Sequence, residues 1–202
     1  MKYAITTSEQ QKYVWFQLPK SASCSIRNFL EKYTIVDSHT KENWRYIEYY
    51  PQNYKSYFKF TFVRNPFERL VSCWRDKIVE NTQKPQGDEI QYMRDRDFSF
   101  SEFVAMVTSD FWGMNGHWIP QCELLIDNFE IELDFIGKVE NFDSDMKFVL
   151  QRLGVCEYQN DYHSNSTQHK HYTSYYNEKS RLLVEEKYAN DIETLGYSFE
   201  GK

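Results

Sequence analysis

Glycine is scarce in this chain, with seven among 202 residues. None falls in the first of two segments that otherwise look built to hold a phosphate. That segment, Leu18-Pro19-Lys20-Ser21-Ala22-Ser23-Cys24-Ser25, lacks the glycines and the Gly-Lys-Ser/Thr ending of a nucleoside-triphosphate loop, so a triphosphate is not the first ligand to consider. Cysteine is equally thin. Cys24, Cys73, Cys122 and Cys156 form no CxxC pair and no zinc spacing, and a reduced cytosolic protein is the simplest reading, with two disulfides as the alternative. No run of 18 apolar residues is present, and the first dozen residues are polar without a signal-peptide core. The expectation is a cytoplasmic chain with no membrane span. Basic residues are outnumbered, 24 Lys and Arg against 30 Asp and Glu, for a net charge of −6. That argues against a broad basic surface for nucleic acid or a long polyanion.

What is present points to a folded protein. Hydrophobic residues make up 41% and charged ones 27%, which is globular rather than disordered composition. At this length a single domain over residues 1–202 is expected. Aromatics reach 18%, with sixteen tyrosines and five tryptophans. Most are expected in the core or in half-buried strands, with a few left to stack on a sugar or an adenine.

Two segments carry the chemistry. In the first, apolar and aromatic residues from Tyr13 to Leu18 read as a buried strand, Pro19 ends it, and Ile26, Phe29, Leu30 and Tyr33 recur at helical spacing. Lys20, Ser21, Ser23 and Ser25 lie between them. Lysine brings a point charge, serine hydroxyls and loop amides bring directed donors, and a helix start suits an anion. A Ser-rich turn that merely caps a helix is the plain alternative. In the second, Phe58, Phe60, Phe62 and Val63 form a strand. Asn65 is a good N-cap, Pro66 suits the first helical position, and Glu68 completes an Asn-x-x-Glu capping box. Phe67, Leu70, Val71, Trp74 and Ile78 form the buried stripe of the helix, and Ser72 lies off that stripe. Arg64, at the strand end, is placed to grip a phosphate through its fork; an Arg64 paired with a carboxylate and a merely solvated Ser72 is the plain alternative, and the one favoured for Arg64 taken singly.

Taken jointly, the two segments resemble the donor-binding signature of sulfotransferases that use 3′-phosphoadenosine 5′-phosphosulfate (PAPS), and more closely the carbohydrate branch that includes the chondroitin, HNK-1 and heparan 2-O types. The resemblance implies that Lys20 contacts the bridging oxygen and neutralises the leaving group. Ser21, Ser23, Cys24 and Ser25, with the loop amides including that of Ala22, would hold the 5′-phosphate. Arg64 and Ser72 would hold the 3′-phosphate. His117-Trp118-Ile119-Pro120-Gln121 is similar to a His-Trp segment of the family, Asp134 to Glu140 to its late strand, and Tyr172 to Tyr176 with Tyr188, Asp191, Gly196 and Tyr197 to its C-terminal region. Asn65 stands where Asp is commoner. The implied fold is α/β, a central parallel sheet flanked by helices and related to nucleotide kinases. The implied acceptor is a saccharide or small-molecule hydroxyl, with no nucleic acid and no metal.

His117 is the candidate general base, since an imidazole near neutral pKa suits proton removal from an alcohol, with a structural histidine bonded to backbone as the plain alternative; His39 is the second candidate. His163, His169 and His171 sit in a polar stretch without a cysteine partner and are read as part of a loop closing over the donor, where Lys170 reaches the 3′-phosphate or adenine. Elsewhere the sequence predicts a polar loop over 81–97, a capping box at Ser99 and Glu102 opening a helix through Val107, a helix capped by Asp143 and running through Leu153, ended by Gly154, and a helix from Asn177 to about Thr194. Two other classes fit part of this pattern: a phosphate-loop kinase of small molecules, and a nucleotide-binding module without catalysis.

Overall fold

The computed structural model describes residues 2–34, 36–39, 47–48, 51–80, 87–109, 115–127, 132–157 and 170–201. Its strands are β1 (Lys2–Tyr3), β2 (Ile5–Ser8), β3 (Tyr13–Phe16), β4 (Ser38–His39), β5 (Ile47–Glu48), β6 (Phe58–Val63) and β7 (Phe135–Lys138). The helices are α1 (Ser23–Tyr33), α2 (Pro66–Trp74), α3 (Asp88–Arg94), α4 (Phe100–Val107), α5 (Phe142–Arg152), α6 (Glu178–Lys187) and α7 (Ala189–Leu195). Among the described residues, no helix is long and apolar enough to cross a membrane. The chain divides into two compact units. One comprises Met1–Arg64 and Glu130–Ser166, the other Asn65–Phe129 and Thr167–Lys202.

The first unit holds the sheet, in the order β4-β2-β3-β6-β7. The expected parallel core is there: β3 pairs with β6 and β6 with β7 in parallel, with Trp15 opposite Phe60 and Phe62 opposite Gly137. The sheet also has an antiparallel side that the sequence reading missed. Residues 4–8 look polar, but Ile5, Thr6 and Thr7 are β-branched and suit a pleated, buried surface. All of β2 is buried, and it pairs antiparallel with β3 and β4. An antiparallel edge on an otherwise parallel sheet is a common arrangement.

One face of the sheet presents Tyr13, Trp15, Phe58, Phe60 and Phe62. Against it pack Ile26, Phe29 and Leu30 of α1 and Met146, Val149 and Leu150 of α5. Gly137 belongs to this packing, since a Cβ there would lie 2.6 Å from the Phe62 ring. The alternate residues Val14, Phe16, Thr61 and Val63 are buried as well. Helix α5 starts at Phe142 with Asn141 as its cap residue, so Asp143 sits inside the first turn instead of capping it.

The second unit is helical. Its core joins Phe67, Leu70 and Val71 of α2, Ile90 and Met93 of α3, Phe103, Val104 and Val107 of α4, and Trp118, Val184 and Tyr188. Ser99 and Glu102 form both bonds of the predicted capping box, and α4 ends at Val107. Helix α3 replaces part of the loop expected over 81–97. Ile90 and Met93, three apart, are fully buried, and that single turn of apolar spacing was too short to stand out among polar neighbours. The long C-terminal helix is two helices, broken at Tyr188 (φ −108, ψ 23). Its start is as expected, with the Asn177 side chain accepting from the Ser180 amide.

Candidate active site

The strand β3 and the helix α1 are joined by a tight loop that takes glycine-like geometry without glycine. Lys20 has φ 68 and Ala22 φ 57, both in the left-handed region. Non-glycine residues enter that region at a cost of about 1–2 kcal/mol each, so the surrounding contacts hold the loop in a strained turn. Ala22 is the N-cap of α1 and contributes no side-chain cap bond, and no acidic residue lies in the first turn. The helix therefore opens with its positive end free of a built-in carboxylate. Lys20, Ala22 and Ser25 are half-buried and Cys24 is exposed. Ser21 and Ser23, expected among the hydroxyl donors, are only 1% and 8% exposed. The four cysteines are thiols, Cys24 and Cys156 exposed, Cys73 and Cys122 buried.

Arg64 follows β6, the parallel neighbour of β3. Its Nη1 donates to the Lys20 carbonyl at 3.4 Å. The two cation-bearing segments, 44 positions apart in the chain, thus meet beyond the carboxyl ends of adjacent parallel strands, where open α/β sheets hold ligands. The sheet itself fixes this meeting, because Thr61 Oγ1 donates to the Phe16 carbonyl at 2.8 Å just below both loops. A further cation was overlooked in the sequence. Arg27, on α1, donates through Nη2 to Gln17 Oε1 at 3.0 Å, and Gln17 Nε2 donates to Thr6 Oγ1 at 3.0 Å. Its spacing of three from Cys24 was the available signal.

Of the remaining candidates, Asn65, Ser72, Lys170, His171 and His117 belong to the second unit and His39 to the first. Asn65 caps α2 by accepting from the Phe67 amide at 3.0 Å. Glu68, the expected box partner, lies in the first turn of the helix. Ser72 lies half-buried on α2. Lys170 is exposed, just before a 3-10 turn over Tyr172–Tyr175. His171 is exposed, with Nδ1 2.8 Å from Thr173 Oγ1. His163 and His169 lie outside the described residues. His39 ends β4, opposite Thr6.

His117 sits in a turn tied down from several sides. Arg69, fully buried on α2, donates to the carbonyls of Ile119 at 2.8 Å and Gly116 at 3.2 Å. Burial pushes the Arg69 pKa below its ordinary value, against the pull of Tyr188 and Asp191. The Tyr188 hydroxyl donates to the Trp118 carbonyl. The buried Asp191 carboxylate accepts from the backbone amides of Gln121 at 2.8 Å and Cys122 at 2.7 Å. His117 itself is 8% exposed. Its amide donates to Asn115 Oδ1 at 3.0 Å, and its ring Nδ1 lies 2.8 Å from the same oxygen. Asn115 Nδ2 in turn donates to Glu89 Oε1 at 2.5 Å. The sequence reading named neither Asn115 nor Glu89. The Asn-x-His spacing is visible in the sequence, but Glu89 is distant and reaches Asn115 only through the fold.

Comparison with known proteins agrees with this architecture. The model of the sulfotransferase family matches residues 3–198, and the chain belongs to that family. It is 37% identical over 118 residues to carbohydrate sulfotransferase 14 of Danio rerio, covering 52% of this chain and 32% of that protein. It is 35% identical over 123 residues to carbohydrate sulfotransferase 11 of Mus musculus, covering 52% and 35%. With carbohydrate sulfotransferase 10 of Pongo abelii it shares 32% identity over 121 residues, covering 50% and 34%. Each match thus takes in only about a third of the relative's length. No solved structure matches significantly.

Proposed function

We propose that this protein transfers a sulfuryl group from PAPS to a hydroxyl of a saccharide. The observation that carries the reading is the meeting of Arg64 with the Lys20 loop at the ends of β3 and β6, in a chain of the sulfotransferase family. The similar proteins are named carbohydrate sulfotransferases, which supports a saccharide acceptor.

The donor supplies an activated sulfuryl group already bonded to a good leaving phosphate. The residues must position it, stabilise charge, and take one proton. Lys20 neutralises charge on the bridging oxygen. The first-turn amides of α1, with Cys24 and Ser25, hold the 5′-phosphate, while the buried Ser21 and Ser23 shape the loop behind them. Arg64 and Ser72 hold the 3′-phosphate, and Lys170 adds a second cation to it. His117 takes the proton of the acceptor hydroxyl. As it does so the hydroxyl oxygen bonds to sulfur, the bond from sulfur to the bridging oxygen breaks, and its electron pair leaves with the phosphate. Like phosphoryl transfer, such an in-line exchange needs little covalent chemistry from the protein.

Thermal denaturation tests the donor site. Adenosine 3′,5′-bisphosphate at a hundredfold over its Kd should add about 2.7 kcal/mol, a rise of roughly 5–10 °C in Tm for a chain of this size. ATP with magnesium should do little, and Arg64→Ala should abolish the bisphosphate effect. Stabilisation by ATP and magnesium alone would favour the kinase reading. Binding of the bisphosphate without transfer of labelled sulfate to any saccharide would mark a binding module.

A further inference from the structure

We propose that Glu89 and Asn115 are positioning residues that hold His117 in the tautomer a general base requires. This rests on the reading of His117 as the proton acceptor. The argument begins from a donor that has no ambiguity. The backbone N–H of His117 points at the Asn115 side chain at 3.0 Å, so the atom it meets must be the amide oxygen. Glu89 settles the same orientation from the other end, because an ionised carboxylate only accepts, and the Asn115 atom 2.5 Å from it must be the nitrogen. The oxygen so fixed also lies 2.8 Å from His117 Nδ1. An oxygen without hydrogen demands a hydrogen on that nitrogen. In a neutral imidazole with Nδ1 protonated, Nε2 keeps its lone pair and is the atom able to take a proton.

Gly87 lies beside the same carboxylate: a Cβ at that position would fall 2.6 Å from both Glu89 carboxylate oxygens, the movable end of that side chain, and the φ of +129 is itself a conformation that favours glycine. The three side chains form a chain of fixed polarity, carboxylate to amide to imidazole, built from α3, the 115–119 turn and the contacts that anchor it.

The tautomer can be read without turnover. In full-length protein labelled with ¹⁵N-histidine, long-range ¹H–¹⁵N correlations show which ring nitrogen carries the hydrogen. His117 is expected as the Nδ1–H form, and Asn115→Ala should release it toward the Nε2–H form that imidazoles favour in water. In transfer assays Asn115→Ala should lower kcat roughly 10–100-fold, the size of loss seen when the partner that orients a metal-ligating histidine is removed, with the donor KM unchanged. Glu89→Ala should lower kcat in the same way, and Glu89→Gln, whose amide oxygen still accepts from Asn115, should restore most of the loss. An Nε2–H tautomer in the native protein would overturn the proposal even if transfer is robust, and so would a tautomer indifferent to Asn115→Ala. Full turnover in His117→Ala would overturn it from the other side by removing the base, and would leave the donor-binding reading intact.

Discussion

Asn65 shows how one side chain can answer to two demands. As N-cap of α2 it needs only an oxygen, and aspartate would serve equally well. But its Nδ2 also donates to the Ser198 carbonyl at 2.8 Å, with the Tyr172 hydroxyl 3.5 Å away, and the residue is 2% exposed. A carboxylate has no hydrogen to give and would face a carbonyl in a buried setting. Asn65→Asp, which restores the residue commoner at this place in the resemblance, is therefore expected to destabilise the protein by about 1–3 kcal/mol. Urea unfolding of the two proteins checks this, and equal midpoints would mean that the Ser198 bond contributes nothing. The lysine loop makes a similar point. The sequence lacks glycine where the backbone turns left-handed, at Lys20 and Ala22, so absence of a glycine signature excluded a motif but not the geometry the motif usually needs.

At the level of elements, α2 links its cap to the turn bearing His117. Arg69 is the connection: a fully buried guanidinium whose two donors reach carbonyls on either side of that histidine. Lysine carries the charge but not the fork, and cannot span both carbonyls from one rigid plane. Arg69→Lys is expected to cost about 1–3 kcal/mol, the penalty for leaving a buried acceptor unsatisfied. Hydrogen exchange should show faster opening of the Trp118 and Ile119 amides while the amides of α1 keep their rates. Unchanged protection in both places would remove the strap role. What could be read from the sequence follows the same logic of strong and weak local signals. The strand–loop–helix pairs β3–α1 and β6–α2 stood out because apolar runs, a proline and a cap agreed within a few residues. Strand β2 and helix α3 did not. Their burial depends on partners far along the chain, and four or seven residues give periodicity little to work on. The Lys20 and Arg64 segments could be found as motifs, whereas the Glu89–Asn115–His117 chain could not, since its first link joins residues 26 apart.

At the scale of the whole molecule, each unit buries tyrosine in or against its core, and this makes the fold sensitive to alkaline pH. Tyr13, in the core under the sheet, is held above its ordinary pKa of 10.0 to about 12. Burial is the main cause; its bond to Thr34 opposes it and Asp37 adds to it. In the helical unit Tyr176 and Tyr188 are pushed up too, again chiefly by burial. A phenol whose pKa is higher in the folded state loses its proton first in the unfolded chain. The unfolded state then binds fewer protons, and stability falls as pH rises. The contribution is intact below pH 10, declines from there, and for Tyr13 is lost by about pH 12. Two pKa units correspond to about 2–3 kcal/mol from this residue alone. Denaturant midpoints should therefore be flat up to pH 10 and drop steeply through pH 11, with tyrosinate absorbance rising together with loss of helix signal. Tyr13→Phe gives up the Thr34 bond, 3.0 Å in the native protein, and should start from a lower stability but fall less steeply. If phenolate absorbance for all sixteen tyrosines appeared near pH 10 while the helix signal persisted, the hydroxyls would be reached by solvent in the folded protein. Neither core would then be sealed by its tyrosines.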